Sequence, residues 1–337
     1  MLAFSCPVCE RLVTFESVRC LNCGSELGFD FSRRTIAALD TKASASLQRC
    51  ANASVAECNW LASGGELCAS CAITRTRPSD EDPAGLTGYA GAEAAKRRLL
   101  FELAELGLPI DGWREREGGL AFDLLSSERE PVTTGHADGV ITLDLDETDP
   151  AHRERMRVRL GEPYRTVLGH FRHEIGHYYQ PILISEGSAR EARCRELFGD
   201  ERADYRQAMD RHYQSGPPAD WEQSFVSAYA TMHPWEDFAE TFAHYLHIRD
   251  TLQTAAAYGV ETKGPSIPTS DPAPLHADAE DADSDIASIL DAWIPLTYAL
   301  NAITRSMGSP DLYPFVISPH IEAKLAFIDS LVKHRGG

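Results

Sequence analysis

The chain has 337 residues, of which 43% are hydrophobic and 25% charged, a composition typical of a globular protein with one large domain or two or three smaller ones. Its net charge of −19 disfavours nucleic-acid binding, because a phosphate backbone is bound by concentrated Lys and Arg. No run approaches the roughly 18 uninterrupted apolar residues that a membrane span requires, and the first residues lack the features of a signal peptide. We therefore expect a cytoplasmic protein that binds neither nucleic acid nor membranes.

Eight of the nine cysteines lie between positions 6 and 71, and three pairs have the spacing Cys-x-x-Cys. Without a secretion signal, this pattern indicates metal ligation rather than disulfides. Two of the pairs predict a zinc ribbon, since tetrahedral ligation needs four thiolates and each loop presents two. The predicted ligands are Cys6, Cys9, Cys20 and Cys23. The pattern Cys-Pro-x-Cys followed by Cys-x-x-Cys-Gly is also similar to that of rubredoxin, so iron is an alternative to Zn²⁺.

A second, less regular set consists of Cys50, Cys58, Cys68 and Cys71. We interpret it as a second structural zinc site; the alternative is that some of its members are small buried hydrophobes. Cys194 belongs to neither set and is expected to pack on a helix. The cysteine-rich module is expected to be structural or to recognise a protein partner.

A polar, proline-containing stretch over 77–83 divides the chain into a zinc-ribbon module, residues 1–78, and a second domain, residues 79–337. The hydrophobic pattern of the second domain predicts a helix over 93–106, strands over 119–125 and 139–145, and then an almost wholly helical body. Its helices are predicted over 150–161, 163–180, 188–197, 201–214, 234–257, 286–306 and 319–334, with Pro163, Pro234 and Pro319 each in a first turn. Residues 261–285 are predicted to form an acidic, proline-rich surface loop. The fold class is therefore α+β.

The segment His173-Glu174-Ile175-Gly176-His177 has the pattern His-Glu-x-x-His on a predicted helix. Positions i and i+4 lie on one helix face, so the two histidines can bind one Zn²⁺. Glu174 lies beside them and is expected to take a proton from a metal-activated water. Gly176 weakens the helix relative to alanine but would let another helix approach closely. The alternative is a pair of surface histidines.

A third metal ligand is expected on the helix over 234–257, where Glu236 and Glu240 are one turn apart. One carboxylate would ligate the metal, and the other would accept the free N–H of a ligand histidine. We assign Glu236 as the ligand and Glu240 as the partner of a histidine, with the reverse assignment as the alternative. Asp237 and His244 are weaker candidates.

His-Glu-x-x-His followed by a glutamate on a later helix resembles the gluzincin class of metallopeptidases. The stretch from Tyr229 through Glu236 to Glu240 is similar to the site of the anthrax lethal-factor type, in which a tyrosine seven residues before the ligand glutamate stabilises the tetrahedral intermediate. The resemblance implies that Tyr229 is an oxyanion donor, for which a phenol is competent. The alternative is an aromatic side chain packed beside Phe225.

A resemblance over nearly the whole chain is carried by Cys6-Pro7-Val8-Cys9 and by residues 170–179, 233–247 and 305–315. These motifs are similar to those of bacterial zinc-binding metallopeptidases with an N-terminal zinc ribbon. The resemblance implies a zinc peptidase. A separate hypothesis is that the strand over 139–145, just before the metal-binding helix, is an edge along which an extended peptide aligns by main-chain hydrogen bonds. A zinc-dependent hydrolase of a non-peptide amide and a non-catalytic adaptor that binds a protein partner are the alternatives. The presence of Glu174 argues against the adaptor, which needs no general base.

Overall fold

The computed structural model describes residues 1–39, 41, 44, 46–128, 130–262 and 285–333. Its contacts define two compact units. The first, here the N-terminal unit, consists of residues 2–160 and 165–171, and the second, the C-terminal unit, of Met1, residues 161–164 and residues from 172 onward. Small sheets together with many helices confirm the α+β class.

The strands of the described residues belong to the N-terminal unit. They are β1 (Phe4–Ser5), β2 (Leu12–Val13), β3 (Leu27–Asp30), β4 (Thr35–Ala38), β5 (Leu47–Arg49), β6 (Leu61–Ser63), β7 (Thr74–Thr76), β8 (Ala121–Leu125), β9 (Gly135–Ala137) and β10 (Val140–Asp144). The first six pair as antiparallel hairpins, β1 with β2, β3 with β4 and β5 with β6. The remaining four form one sheet in the order β7-β8-β10-β9.

Strand β10 lies inside this sheet. Val140 is opposite Ala121 of β8, in a parallel pair, and opposite Ala137 of β9, in an antiparallel pair. The prediction that this strand is a sheet edge is therefore wrong. The alternating pattern identifies a strand, but which neighbours it has depends on the turn at Gly139, where a positive φ of 83° lets the chain fold back on itself.

The helices of the described residues follow the predicted order. They are α1 (Ala69–Ala72), α2 (Pro83–Glu105), α3 (Pro150–Leu160), α4 (Val167–Leu183), α5 (Ala189–Phe198), α6 (Tyr205–Ser215), α7 (Pro234–Ala257), α8 (Ile286–Ser306) and α9 (Pro319–Lys333). Helix α4 begins four residues after Pro163, so the prediction that this proline lies in its first turn is wrong. Most of the predicted loop over 261–285 lies outside the described residues.

Helix α2 begins earlier than predicted, because Asp82 caps it. The Asp82 carboxylate accepts a hydrogen bond from the backbone N–H of Gly85 at 2.8 Å, and Pro83 occupies the first turn. Its Phe101 joins an aromatic cluster with Phe15 and Phe29, whose ring centroids are 5.4 and 5.7 Å away. The N-terminal unit thus extends well past residue 78, and the domain boundary placed there stays a prediction.

Helix α8 is long and apolar enough to cross a membrane, by length and composition alone. The core helix of a globular protein meets the same criterion. In this helix Ile289, Leu290, Trp293 and Leu296 are buried, and it packs against α7 and α9. The helix is therefore weak evidence for a membrane span, and the expectation that the chain binds no membrane stays a prediction.

In the C-terminal unit, helices α4 and α7 approach closely at Gly176. A Cβ atom added there would lie 2.9 Å from Ala239 Cα and 3.1 Å from the Ala239 carbonyl oxygen. The prediction that this glycine admits another helix is confirmed. Since α4 carries the His-Glu-x-x-His segment and α7 carries Glu236, this contact sets the separation of the two ligand-bearing helices.

We expect Gly176→Ala to destabilise the protein by about 1–2 kcal/mol, because overpacking against backbone exceeds the gain in helix propensity. Chemical denaturation monitored by circular dichroism measures the change. Gly91→Ala in α2 is the matched control, since its added Cβ would meet Thr148 Cβ at an ordinary 3.7 Å. Equal stability of the two variants would contradict the tight contact.

Candidate metal sites

Three groups of metal-ligating side chains converge within the described residues. In each group the donor atoms all lie within 4.8 Å of one another. The groups are Cys6, Cys9, Cys20 and Cys23; Cys50, Cys58, Cys68 and Cys71; and His173, His177 and Glu236. The first two lie in the N-terminal unit and the third in the C-terminal unit.

The sulfur atoms of both cysteine groups have the spacing of a tetrahedral site. The Sγ–Sγ distances are 3.7 Å for Cys6–Cys23, 3.6 Å for Cys9–Cys20 and 3.6 Å for Cys58–Cys68. Zinc–sulfur bonds of about 2.3 Å in a tetrahedron place the sulfurs about 3.8 Å apart. The residues present therefore fit a four-thiolate metal in each group.

The two loops of the first group share one backbone conformation. The N–H of Glu10 donates to the carbonyl oxygen of Cys6, and the N–H of Gly24 donates to that of Cys20, at 2.8 and 2.9 Å. Glu10 and Gly24 also both have a positive φ, of 60° and 76°. Each loop thus turns two sulfurs toward the same point.

Helix α2 places buried charges beside the second cysteine group. Glu93 Oε2 lies 3.8 Å from Cys71 Sγ, and Glu93 Oε1 pairs with Lys96 Nζ at 2.6 Å. Arg97 donates to backbone carbonyls of Ala56 and Glu57 on the loop before Cys58. A four-thiolate zinc site carries a formal charge of about −2. Glu93, Lys96 and Arg97 together carry +1, so the helix offsets part of a charge that burial would otherwise penalise.

The third group joins helices α4 and α7. His173 Nε2 and His177 Nε2 are 3.1 Å apart, and Glu236 Oε2 is 3.0 Å from the first and 3.4 Å from the second. Zinc bonds of about 2.0 Å to nitrogen and oxygen in a tetrahedron would separate the donors by about 3.3 Å. All three side chains are buried, with 8%, 6% and 3% exposure for His173, His177 and Glu236.

The hydrogen bonds of Glu240 assign the tautomer of His173. Glu240 Oε1 is 2.7 Å from His173 Nδ1, and Ser227 Oγ donates to Glu240 Oε2 at 2.5 Å. Because a carboxylate only accepts, the proton is on Nδ1 and the Nε2 lone pair faces Glu236. Two acceptors at such distances repel unless a proton or a metal ion lies between them, and with His177 Nε2 as the third donor the set fits Zn²⁺.

His173 and the two carboxyl groups shift the pKa values of one another. Burial lowers the pKa of His173, but hydrogen bonds with Glu236 and Glu240 outweigh it and raise the pKa well above its ordinary value. Burial likewise raises the pKa of each carboxyl, and hydrogen bonds from His173 reverse the effect: the pKa of Glu236 is lowered, and that of Glu240 is lowered to about 2. The point between His173 Nε2 and Glu236 thus attracts positive charge, and a proton and a metal ion would compete for it.

The beginning of α7 positions Glu236. His233 caps the helix, its Nδ1 accepting the N–H of Trp235 at 3.1 Å, and Pro234 follows in the first turn. Glu236 then lies in that turn, where the positive end of the helix dipole stabilises a carboxylate. The Trp235 ring lies beside the ring of His177, with centroids 5.6 Å apart.

Asp237 and His244, the weaker candidates, lie outside the ligand group. Asp237 Oδ2 pairs with Lys324 Nζ of α9 at 2.6 Å, and burial raises the pKa of Asp237 to about 7. His244 Nδ1 is 2.6 Å from the Tyr313 hydroxyl, and burial lowers the pKa of His244 to about 4. Asp237 thus joins α7 to α9, and His244 joins α7 to the segment between α8 and α9, so neither belongs to the ligand group.

Glu174 and Tyr229 border the histidines. Glu174 follows His173 on α4 and is 5% exposed. Tyr229 begins a short 3-10 turn, Tyr229–Thr231, and its ring centroid is 5.8 Å from that of His173. Burial raises the pKa of Tyr229, so its phenol stays protonated and able to donate a hydrogen bond.

Tyr205, at the start of α6, was not predicted as a residue of this site. Its hydroxyl donates to Glu236 Oε1 at 2.9 Å and also hydrogen-bonds to Tyr229. Tyr205 therefore holds the oxygen of Glu236 that is turned away from the two histidines. No spacing rule links a tyrosine to a glutamate 31 positions later, so no motif indicated it.

We expect Tyr205→Phe to weaken zinc binding about tenfold, because outer hydrogen bonds typically contribute 10–100-fold to metal affinity. Zinc affinity measured by competition with a chromophoric chelator tests this. Tyr213→Phe, on the same helix but 65% exposed, is the control and should bind zinc as the wild type does. A Tyr205→Phe affinity equal to that of the control would rule out the positioning role.

Comparison with known proteins shows which protein family the chain belongs to. Residues 3–82 match a zinc-ribbon domain, and residues 86–331 match the family described as "Putative zinc-binding metallo-peptidase". The chain belongs to that family, which confirms the resemblance drawn from its motifs. It is 53% identical over 336 residues to the uncharacterized proteins Mb2598c of Mycobacterium bovis and Rv2568c of Mycobacterium tuberculosis, covering 98% of this chain and 95% of each relative. No solved structure matches the chain significantly.

Proposed function

We propose that the chain is a zinc-dependent peptidase in which His173, His177 and Glu236 hold the metal and Glu174 is the general base. The observation that carries this proposal is the convergence of three donor atoms at 3.0–3.4 Å. A site built only to bind zinc for stability would be closed by a fourth protein ligand, as the two cysteine groups are. Within the described residues this group has three, which leaves a position for substrate and water.

The side chains divide the work of hydrolysis among them. Zinc, when bound, supplies a Lewis acid that polarises the scissile carbonyl and lowers the pKa of the attacking water. Glu174 takes the proton of that water and returns it to the leaving amine. Tyr229 donates its O–H to the carbonyl oxygen as negative charge develops there. Glu240 keeps His173 in one tautomer, and Tyr205 fixes the orientation of Glu236.

The cysteine groups are proposed to hold one structural zinc each. The N-terminal module is further proposed to bind a protein partner, and the chain to work in the cytoplasm on peptide or protein substrates. These proposals rest on the sequence pattern and on the spacing of the sulfur atoms.

The test is peptide hydrolysis by the purified full chain. Zinc should be present at about three per chain by atomic emission, and a peptide library should be cleaved, with cleavage sites located by mass spectrometry. Removing the weakest-bound zinc with a chelator should abolish cleavage, and adding zinc back should restore it. A fully zinc-loaded protein that cleaves no peptide but hydrolyses small amides would favour the non-peptide amide hydrolase. If the zinc-loaded protein hydrolysed neither peptides nor small amides, the proposal would be wrong.

A further inference from the structure

A cavity of about 170 Å³ opens in the C-terminal unit beyond the ligand histidines. Gln180 of α4 and Ile184, the first residue after that helix, line it, three and seven residues after His177. The Ile184 N–H still donates to the carbonyl oxygen of Gln180, at 3.0 Å, as in a helix. Positions i, i+3 and i+7 share one helix face, so the cavity continues the face that carries the metal ligands. Its volume is below the 300 Å³ or more typical of a drug-sized ligand and suits a single side chain.

Trp235 lies between this cavity and the metal ligands. Its ring is tilted by 32° to the ring of His177, with centroids 5.6 Å apart, and it also lines the cavity. Pro181 and Ile184 complete an apolar wall. A group that enters the cavity from a substrate at the metal would therefore pass along an aromatic ring, a surface on which methylene groups and cations both bind well.

Carboxylates outnumber cations around the cavity. Glu186, Glu191 and Glu201 line it, and Arg195 is shared between two of them, at 2.7 Å from Glu191 and 2.5 Å from Glu201. Glu186 is exposed and has no ion pair or hydrogen bond among the residues that the structure describes. The lining thus has more negative than positive charge, which favours a cationic ligand.

The other polar atoms that line the cavity also favour a ligand that donates hydrogen bonds. Gln180 is 8% exposed, and its Oε1 has no partner within the described part of the chain. Cys194 is 5% exposed, and burial followed by the charge of Glu201 raises the pKa of its thiol to about 12, so it stays neutral. An ammonium or guanidinium group has only donors and matches acceptors of this kind.

We propose that this cavity is the subsite for a basic side chain, Lys or Arg, of the substrate. The methylene stem lies along Trp235 and Ile184, and the cationic head contacts Glu186. The head also contacts Glu191 and Glu201, whose two negative charges are only half balanced by Arg195. The proposal rests on the proposed peptidase function, and it adds a class of substrate to it.

Equilibrium binding tests the subsite separately from hydrolysis. The probes are fluorescent alanine-rich octapeptides that carry one Lys, or norleucine as its uncharged analogue, at each position in turn. Binding to zinc-loaded Glu174→Gln protein is measured by fluorescence anisotropy. At one position the Lys peptide should bind about tenfold more tightly than the norleucine peptide, as expected for a cationic head that contacts Glu186 and the pair Glu191 and Glu201. Equal affinities at every position would overturn the subsite.

Charge substitutions locate the preference. Adding Glu186→Gln should reduce the Lys-to-norleucine ratio to about threefold or less. Glu186→Lys should abolish the preference for Lys, because the introduced lysine and Arg195 would then balance Glu191 and Glu201. Glu196→Gln is the matched control, since Glu196 is on α5, pairs with Arg193 and does not line the cavity. If the ratio is the same in Glu186→Gln and Glu196→Gln, the assignment to this cavity is wrong. If the wild type cleaves peptides without a preference for Lys or Arg, the subsite proposal is wrong and the peptidase proposal stands. If it binds Lys peptides selectively but cleaves none, the peptidase proposal is wrong and the subsite proposal stands.

Discussion

Replacing Glu174 with glutamine should abolish peptide turnover while zinc stays bound. The amide has nearly the shape of the carboxylate but cannot take a proton from water. Since Glu174 is 5% exposed, between two histidines on a packed helix, the substitution should leave the positions of His173 and His177 unchanged. Loss of a general base typically lowers the rate by about 10²–10⁴-fold. Steady-state cleavage of a peptide found in the library measures the loss, with zinc content determined on the same sample.

The control for this prediction is His173→Ala, which should lose activity together with one zinc per chain. The two variants then separate proton transfer from metal binding. A Glu174→Gln protein as active as the wild type would refute the assigned base. In cells, the substrates can be identified by comparing protein termini. New termini that occur with the wild type but not with Glu174→Gln would mark cleavage sites.

Glu236→Ala should lose the zinc of the third group, whereas Glu240→Gln should retain it with lower affinity. Glu236 Oε2 faces both histidine Nε2 atoms, whereas Glu240 faces only His173 Nδ1. Removing a ligand from a three-ligand site typically prevents stable binding, and removing a hydrogen-bonded partner costs about 10–100-fold. Zinc stoichiometry after dialysis and competition titration measure the two effects.

Glu196→Gln, on the surface of α5, serves as the control for the loss of a carboxylate. Should Glu240→Gln lose more zinc than Glu236→Ala, the two roles would have to be exchanged. The cysteine groups provide an internal reference, because their zinc should be retained in all three variants.

The sequence indicated the site most clearly where local geometry decides it. His173 and His177 are four residues apart, and the helical period alone puts them on one face. Helix α7 was predicted with the bounds Pro234–Ala257 that the structure has, since Pro234 marks its first turn. Contacts between distant segments were harder to predict. Tyr205 reaches Glu236 through the arrangement of α6 beside α7, and the partners of β10 depend on the return of the chain at Gly139.

If the second cysteine group holds the proposed zinc, the surroundings of Cys71 couple zinc binding to the assembly of the four-stranded sheet. Glu93 contacts Cys71 Sγ through one carboxylate oxygen and Thr74, the first residue of β7, through the other. Strand β7 begins three residues after Cys71 and pairs with β8. Thiolates in this group form a loaded site only in the folded chain, so metal binding and folding share one free energy. During synthesis in a zinc-starved cell, β7 would lack its anchored start, and this region would stay open to proteases and to thiol oxidation.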